Sequence, residues 1–169
     1  MARYFNITGG LTQELIPAGA NANVSSISLA NVSSRHKAII DLYIEKKQTG
    51  KFYLLKNVNI PVGATLIHDL KGFNNKANEF GLYLKLNKTT TFRLTGLIDP
   101  AASVIVPGTL TKFLSEVSVG DEIVVSGETR IVNSITSDTS LIVTVAFSNN
   151  SQDTSADCNP IAPVDVIIN

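Results

Sequence analysis

The dominant period along the chain is two. Ile40, Leu42 and Ile44 alternate with Asp41, Tyr43 and Glu45, while Phe80, Leu82, Leu84 and Leu86 alternate with Gly81, Tyr83 and Lys85. Leu141, Val143, Val145 and Phe147 alternate with Ile142, Thr144 and Ala146, and Val164, Val166 and Ile168 close the sequence in the same way. Successive side chains of an extended backbone point to opposite faces, so each run predicts a strand with one face on a core and the other near solvent. On that phase Leu42, Phe80, Leu82, Leu84, Ile123, Val143 and Val145 are expected to be buried. Weaker runs surround Ile27 and Leu29, Val58 and Ile60, Leu66 and Leu70, Phe92 and Leu94, and Ile123 and Val125.

Turn chemistry separates the runs: Gln48-Thr49-Gly50, Pro61-Val62-Gly63 and Ser126-Gly127-Glu128 each stand between a pair. Roughly ten short strands at regular spacing predict an all-β protein built on an antiparallel β-sandwich. Thr111 to Val117 is the one helical candidate of any length, a connector of about two turns at most.

Two polar crossings divide the chain, Gly96 to Gly108 with its two prolines and Asn149 to Pro163 with no periodicity. Between them Thr109 to Phe147 has its own strand–turn–strand order. The strand Val164 to Ile168 is too short to stand alone and is expected to return to the first sheet. The predicted organisation is therefore a β-sandwich of residues 1–90 plus 164–169, interrupted by a small β-barrel-like module over 91–163.

Composition removes several functions. Of 169 residues, 44% are hydrophobic, enough for a core, and only 17% are charged. Fourteen basic and fourteen acidic residues cancel, which argues against nucleic acid or an anionic membrane as partner. No apolar run approaches the roughly 20 residues that cross a bilayer as a helix. Met1 to Asn6 is polar, unlike a secretory signal. On that reading the N-x-S/T sequons at Asn6, Asn23, Asn31, Asn87 and Asn149 follow from a surface rich in Asn, Ser and Thr.

Candidate chemistry is sparse. His36 and His68 lack HxH or HExxH spacing, and His68, in phase with Leu66 and Leu70, is placed inward or at a sheet rim. Cys158 is the single cysteine, and a neighbouring carboxylate would raise its thiol pKa. Asp121 and Glu122 are adjacent on a strand and point to opposite faces, so they cannot share a substrate. No serine stands in a G-x-S-x-G turn, and Thr8-Gly9-Gly10 lacks the context of a phosphate cradle. Asp153, Asp157 and Asn159 share a loop, without the glycine and terminal glutamate of an EF-hand. This inventory predicts no enzyme, no cofactor and no metal, and it leaves open whether the acidic loop takes an ion. Aromatics make up 7% of the chain, and Phe52, Phe80, Phe92 and Phe147 fall on core-phase positions.

Two stretches carry a resemblance. Ala22–Ser33 (ANVSSISLANVS), AIIDLYI and Phe52–Leu66 (FYLLKNVNIPVGATL), with the closing Val164–Ile168, resemble small virion structural proteins of tailed bacteriophages over residues 1 to about 90. Gly108–Phe147 is similar to a small β-barrel module of phage structural proteins, through Gly108, Thr109, Thr111 and Phe113, then Val119, Gly120 and Asp121, then Asp138, Ser140 and Leu141. In these signatures Gly120-Asp121 is expected to turn into a strand, and Asp138 to cap a turn through its side chain. The resemblance implies a non-enzymatic virion component assembled in the host cytoplasm. A capsid decoration protein bound to the major capsid protein on the outside of the head is the first reading, and a neck or tail accessory the second. It carries over no catalytic residue.

A carbohydrate-binding module for host attachment is the competing class, and it predicts a shallow groove rimmed by Tyr4, Tyr43, Tyr53 or Tyr83. Open sandwiches leave edge strands that need partners or guards, and few lysines or prolines stand in the expected edges. Cancelled charge also permits close packing of copies. A homo-oligomer, a trimer first, is therefore expected. Phe5, Leu11, Leu15 and Ile16 in the polar N-terminal segment are its candidate contacts, with a first strand of the same sandwich as the alternative role for that segment.

Overall fold

A computed structural model of the chain describes residues 2–46, 50–75, 80–100, 102–149 and 151–169. Gln48 and Thr49 of the first expected turn lie outside the described residues. The chain is all-β and divides into two compact units, residues 1–87 with 162–169, and residues 88–161.

The first unit is a two-sheet sandwich. One sheet has the order β1-β15-β3-β6, from Arg3–Ile7, Val164–Ile168, Asn23–Asn31 and Thr65–Asn74. The other has the order β2-β7-β4-β5, from Gln13–Ile16, Phe80–Asn87, Ala38–Lys46 and Gly50–Ile60. All pairings are antiparallel. The closing strand β15 sits between β1 and β3, so the first and last strands of the chain are neighbours. Ile27, Leu29, Val164 and Val166 of one sheet, and Ile40, Leu42, Leu82, Leu84 and Leu86 of the other, are buried in the period-two phase read from the sequence.

The second unit is a seven-stranded sheet in the order β8-β14-β11-β12-β13-β10-β9. These strands are Phe92–Arg93, Asp157–Asn159, Glu122–Val125, Glu128–Ser137, Ser140–Val143, Ile105–Thr109 and Leu97–Ile98. The sheet is open: no closed barrel forms among the described residues, in contrast to the barrel-like expectation. Its core joins Leu94, Ile98, Val106, Ile123, Val125, Val132, Leu141, Val143 and Cys158 to Phe113, the buried residue of the short helix α1, Phe113–Glu116. Ser126 and Gly127, both at positive φ (50° and 82°), form the two-residue turn joining β11 to β12, whose handedness matches the strand twist.

Several expectations need correction. Both polar crossings belong to the second sheet: Gly96–Gly108 contributes β9 and most of β10, and Asn149–Pro163 contributes β14 and a bridge between Asp153 and Ile98. These strands are two to five residues long, too short for an alternation to show. Val145 is 62% exposed because β13 ends at Val143. Phe80 is only half-buried, and Phe52, opposite the half-buried Ile44, is exposed at the open rim of the sandwich.

Three of the four edge strands of the sandwich are guarded by irregular backbone, while the fourth, β1, pairs with β15 in unbroken register. β5 carries two register shifts against β4, β6 is shifted against β3, and β2 is shifted against β7. Bulges of this kind twist an edge away from strand addition. At the first bulge of β5, Asn57 takes a positive φ of 52° and its N–H donates to the buried Asp41 carboxylate at 2.7 Å.

Candidate functional site

The outer faces of the two sheets of the sandwich carry side chains that alternation places near solvent, aligned in rows that cross all the strands of each sheet. On the sheet β2-β7-β4-β5, Glu14 is opposite Tyr83, Tyr83 opposite Tyr43, and Tyr43 opposite Tyr53. The rings of Tyr43 and Tyr83 stack at 5.6 Å and 18°, and Tyr43 meets Tyr53 at 5.6 Å and 54°. Cross-strand aromatic neighbours of this kind stabilise a sheet and build a continuous ring surface. Tyr43 is buried although it stands on the outer face, because ring neighbours flank it and the Lys51 ammonium lies 4.6 Å above its ring. Lys51 also donates to the Tyr43 hydroxyl at 3.3 Å, and that bond is the main cause that holds its pKa above the ordinary lysine value.

Tyr83 is half-buried and donates its hydroxyl to Glu14 Oε1 at 2.8 Å. Burial first, and the Glu14 carboxylate second, push the phenol up to about 12, so it remains a neutral donor. Gly81, two residues earlier on the same face, makes room for the ring: a Cβ there would stand 2.7 Å from Tyr83 Cε2. Beside the row opens a cleft of about 550 Å³, walled by Thr12, Glu14, Tyr43, Glu45, Lys51 and Tyr83 and closed by the turn at Pro17 and Ala18. The buried Asn75 fixes that turn, donating to the Pro17 carbonyl at 2.7 Å and accepting from Gly19 N–H at 3.2 Å.

On the sheet β1-β15-β3-β6, Tyr4 is opposite Ile167, Ile167 opposite Ser28, and Ser28 opposite Ile67. Tyr4 and Ile67 are each 71% exposed and Ile167 is 39% exposed. The adjacent row on this face runs Asn6, Asp165, Ala30, Thr65, with Asn6 donating to Asp165 at 2.6 Å, and Ser26 opposite Asp69 flanks the other side.

The candidate contacts of the N-terminal segment separate. Leu15 and Ile16 are buried in their own sheet, because β2 pairs with β7 and the bulge after Glu14 turns two successive residues inward. They cannot reach a neighbour. Phe5 is half-buried on β1, and Leu11 alone stands out at 76% exposure. Of the four tyrosines expected to rim one groove, Tyr43, Tyr53 and Tyr83 are gathered on one sheet while Tyr4 lies on the other. Sequence reasoning missed Glu14, Lys51 and Gly81. The available signal was the polar phase itself: Tyr43 and Tyr83 alternate with the core leucines, and aromatics in that phase belong to an outer face.

Most of the remaining candidates have structural partners. Cys158 is buried, and burial first, then the Asp121 carboxylate at 3.7 Å, push its thiol well above the usual range. The sequence neighbour Asp157 is not that carboxylate: it accepts from Arg93 Nε at 2.8 Å. Fully buried Asp121 accepts from Ser118 N–H at 2.8 Å and Ile161 N–H at 2.9 Å. Burial alone would raise the Asp153 carboxyl, yet bonds from Ser126 and Ser155 leave it below its ordinary value, while Asn159 accepts from Thr91 at 2.5 Å. The acidic loop thus spends its oxygens on separate protein donors, and among the described residues no group of three or more His, Cys, Asp or Glu converges as a metal site. Asp138 caps a turn through its side chain, the first turn of α1. Its side chain accepts from Leu114 N–H at 3.0 Å, and its carbonyl from Thr111 Oγ1 at 2.6 Å, so it anchors the start of α1. His68 faces inward opposite Ile27 at the rim, and His36 Nε2 is buried with no hydrogen-bond partner among the described residues.

Comparison with known proteins finds no family profile, no curated relative and no solved structure that matches the chain.

Proposed function

We propose that this chain is a non-enzymatic structural protein of tailed-phage virions that coats the outer surface of the head as a decoration protein, with the major capsid protein as its partner. The observation that carries the reading is the row Tyr4, Ile167, Ser28 and Ile67. Exposed apolar side chains scattered singly are ordinary, but here three of them, on β1, β15 and β6, share one row with Ser28 of β3 between Ile167 and Ile67, a span of about 14 Å at the usual strand spacing. An apolar centre with a rim of Asn6, Asp165, Thr65 and Asp69 is the arrangement of a protein–protein contact. The resemblance of residues 1 to about 90 and of 108–147 to virion proteins supplies the setting. A net charge of zero fits packing against a lattice of identical subunits without repulsion between copies.

Self-association as a trimer belongs to the same proposal. The bulges of β2, β5 and β6 disfavour strand addition at those three edges, so side-chain contact is the mode it would use there.

The test is rebinding. Particles from the host strain that carries the gene are purified and stripped of the protein, and purified protein is returned to them. Wild-type protein is expected to sediment with the heads in many copies per particle, with little dependence on salt. Ile67→Lys and Tyr4→Asp, both at exposed positions, are expected to fold and to stay in the supernatant. Absence of the protein from particles, or rebinding unaffected by both substitutions, contradicts the proposal. A copy number that matches one ring contradicts decoration and favours the neck or tail.

A further inference from the structure

The cleft beside the tyrosine row has a composition that discriminates among ligands. Two carboxylates, Glu14 and Glu45, face it, which disfavours phosphate, sulfate and other anions. The place over the Tyr43 ring that an ammonium ligand would take is filled by Lys51, 4.6 Å from the ring centroid. What remains is a chemistry that needs acceptors and donors together beside an apolar ring. The Glu14 and Glu45 carboxylates accept, the Lys51 ammonium donates, and the Thr12 hydroxyl does either. A sugar ring presents the complement: hydroxyls that donate and accept around its edge, and a face of C–H groups.

We propose that this cleft is a binding site for a neutral saccharide, with Tyr83 as the platform for the sugar's C–H face and Glu14 as the principal acceptor of its hydroxyls. The volume of about 550 Å³ lies within the range of small-ligand sites. The site is set before any ligand arrives. The Tyr83 hydroxyl holds Glu14 Oε1 at 2.8 Å and leaves Oε2 to the ligand, Gly81 lets the Tyr83 ring lie along the sheet, and Asn75 fixes the Pro17 wall. Such preorganisation lowers the cost of ordering on binding. In the sandwich this cleft and the Tyr4–Ile67 row stand on the outer faces of opposite sheets, so a saccharide can be held while the other face is docked. The inference rests on the cleft alone and is tested on the free protein, so its failure leaves the virion reading standing.

The experiment is saturation-transfer NMR on the purified chain. The probes are the methyl glycosides of glucose, galactose, mannose and N-acetylglucosamine, with glucuronic acid and N-acetylneuraminic acid as anionic comparators. Saturable transfer to the ring protons of at least one neutral glycoside is expected, unchanged by added salt. Tyr83→Ala is expected to weaken it about tenfold or more, the loss typical of truncating a tyrosine at the centre of a site. Exposed Glu14→Gln keeps the fold and is expected to weaken binding as well, which holds the test open should Tyr83→Ala unfold. Transfer to none of the neutral glycosides, to the anionic sugars only, or to a neutral glycoside equally in the wild type and in Glu14→Gln overturns the proposal.

Discussion

The side-chain amide of Asn31 donates to the backbone carbonyl of Ile60 at 3.0 Å, tying the end of β3 to the end of β5 on the opposite sheet. The same amide reaches the Pro61 carbonyl at 3.1 Å and the His36 carbonyl at 3.0 Å, while Oδ1 accepts from Ser33 N–H at 2.9 Å. The Asn31 N–H completes the junction by donating to the Ala64 carbonyl at 3.0 Å. Asn31 lies near the end of the stretch Ala22–Ser33, and Ile60-Pro61 lies within the stretch Phe52–Leu66. Two segments far apart in sequence are therefore joined in space by one buried amide.

Asn31→Ala removes the side-chain partner of the Ile60 and His36 carbonyls and of the Ser33 N–H, while the Pro61 carbonyl keeps the Ala64 N–H at 3.1 Å. A loss of about 1–3 kcal/mol is expected, the cost of orphaned buried polar groups. Asn31→Asp is expected to destabilise too, since a carboxylate accepts but cannot donate to carbonyls. Urea unfolding of the two variants checks both. A loss under about 0.5 kcal/mol for either would remove Asn31 from this role.

Cys158 is expected to be inert in the folded protein. Burial and the Asp121 carboxylate keep its thiol protonated, and the thiolate is the reactive form. A disulfide exchange reagent at pH 8 is expected to label it only as the second unit opens, so that labelling in increasing urea follows unfolding. Rapid labelling of native protein contradicts this placement.

Glu128 gives the second unit a pH dependence with a defined sign. Its carboxylate accepts from the Ser148 hydroxyl at 2.6 Å, Ser148 N–H at 3.0 Å and Asn149 N–H at 2.7 Å, and it pairs with Arg130. The Ser148 bonds first hold its pKa at about 2, below the ordinary 4.5. A lowered carboxyl pKa adds stability that is present above the ordinary value and is lost as pH falls through the folded value. The melting temperature of the wild type is therefore expected to exceed that of Glu128→Gln above pH 4.5, with the gap closing toward pH 2. A gap that is constant with pH would contradict the assignment.

Long strands were legible because a buried face imposes its period on many residues. In β7, Leu82, Leu84 and Leu86 are buried as read, and in β4 so is Leu42. What the period does not reveal is where a strand stops or bulges. Val145 keeps the phase of Val143 yet lies past the end of β13, and the bulge in β2 turns Leu15 and Ile16 into core. The outer-face rows were half visible. Tyr43 and Tyr83 stand in the polar phase of their strands, but the register that sets them opposite Tyr53 and Glu14 depends on pairing between segments far apart in sequence.

The corrected core carries its own check. Leu84→Ala removes a fully buried side chain and is expected to cost about 2–5 kcal/mol. Val145→Ala, at an exposed position, is expected to fall within about 0.5 kcal/mol of wild type. Chemical denaturation of the pair distinguishes the strand end at Val143 from a strand continuing through Val145.

A cryo-EM map of the intact parent particle tests the virion reading most directly. The account predicts density for the sandwich at repeated positions over the outer surface of the head, with the Tyr4–Ile167–Ile67 face against the shell and the Tyr83 cleft turned to solvent. Density confined to the neck or tail contradicts decoration. Density on the head with the Tyr4–Ile67 face turned outward contradicts the docking surface, and a particle without the protein contradicts the virion assignment itself.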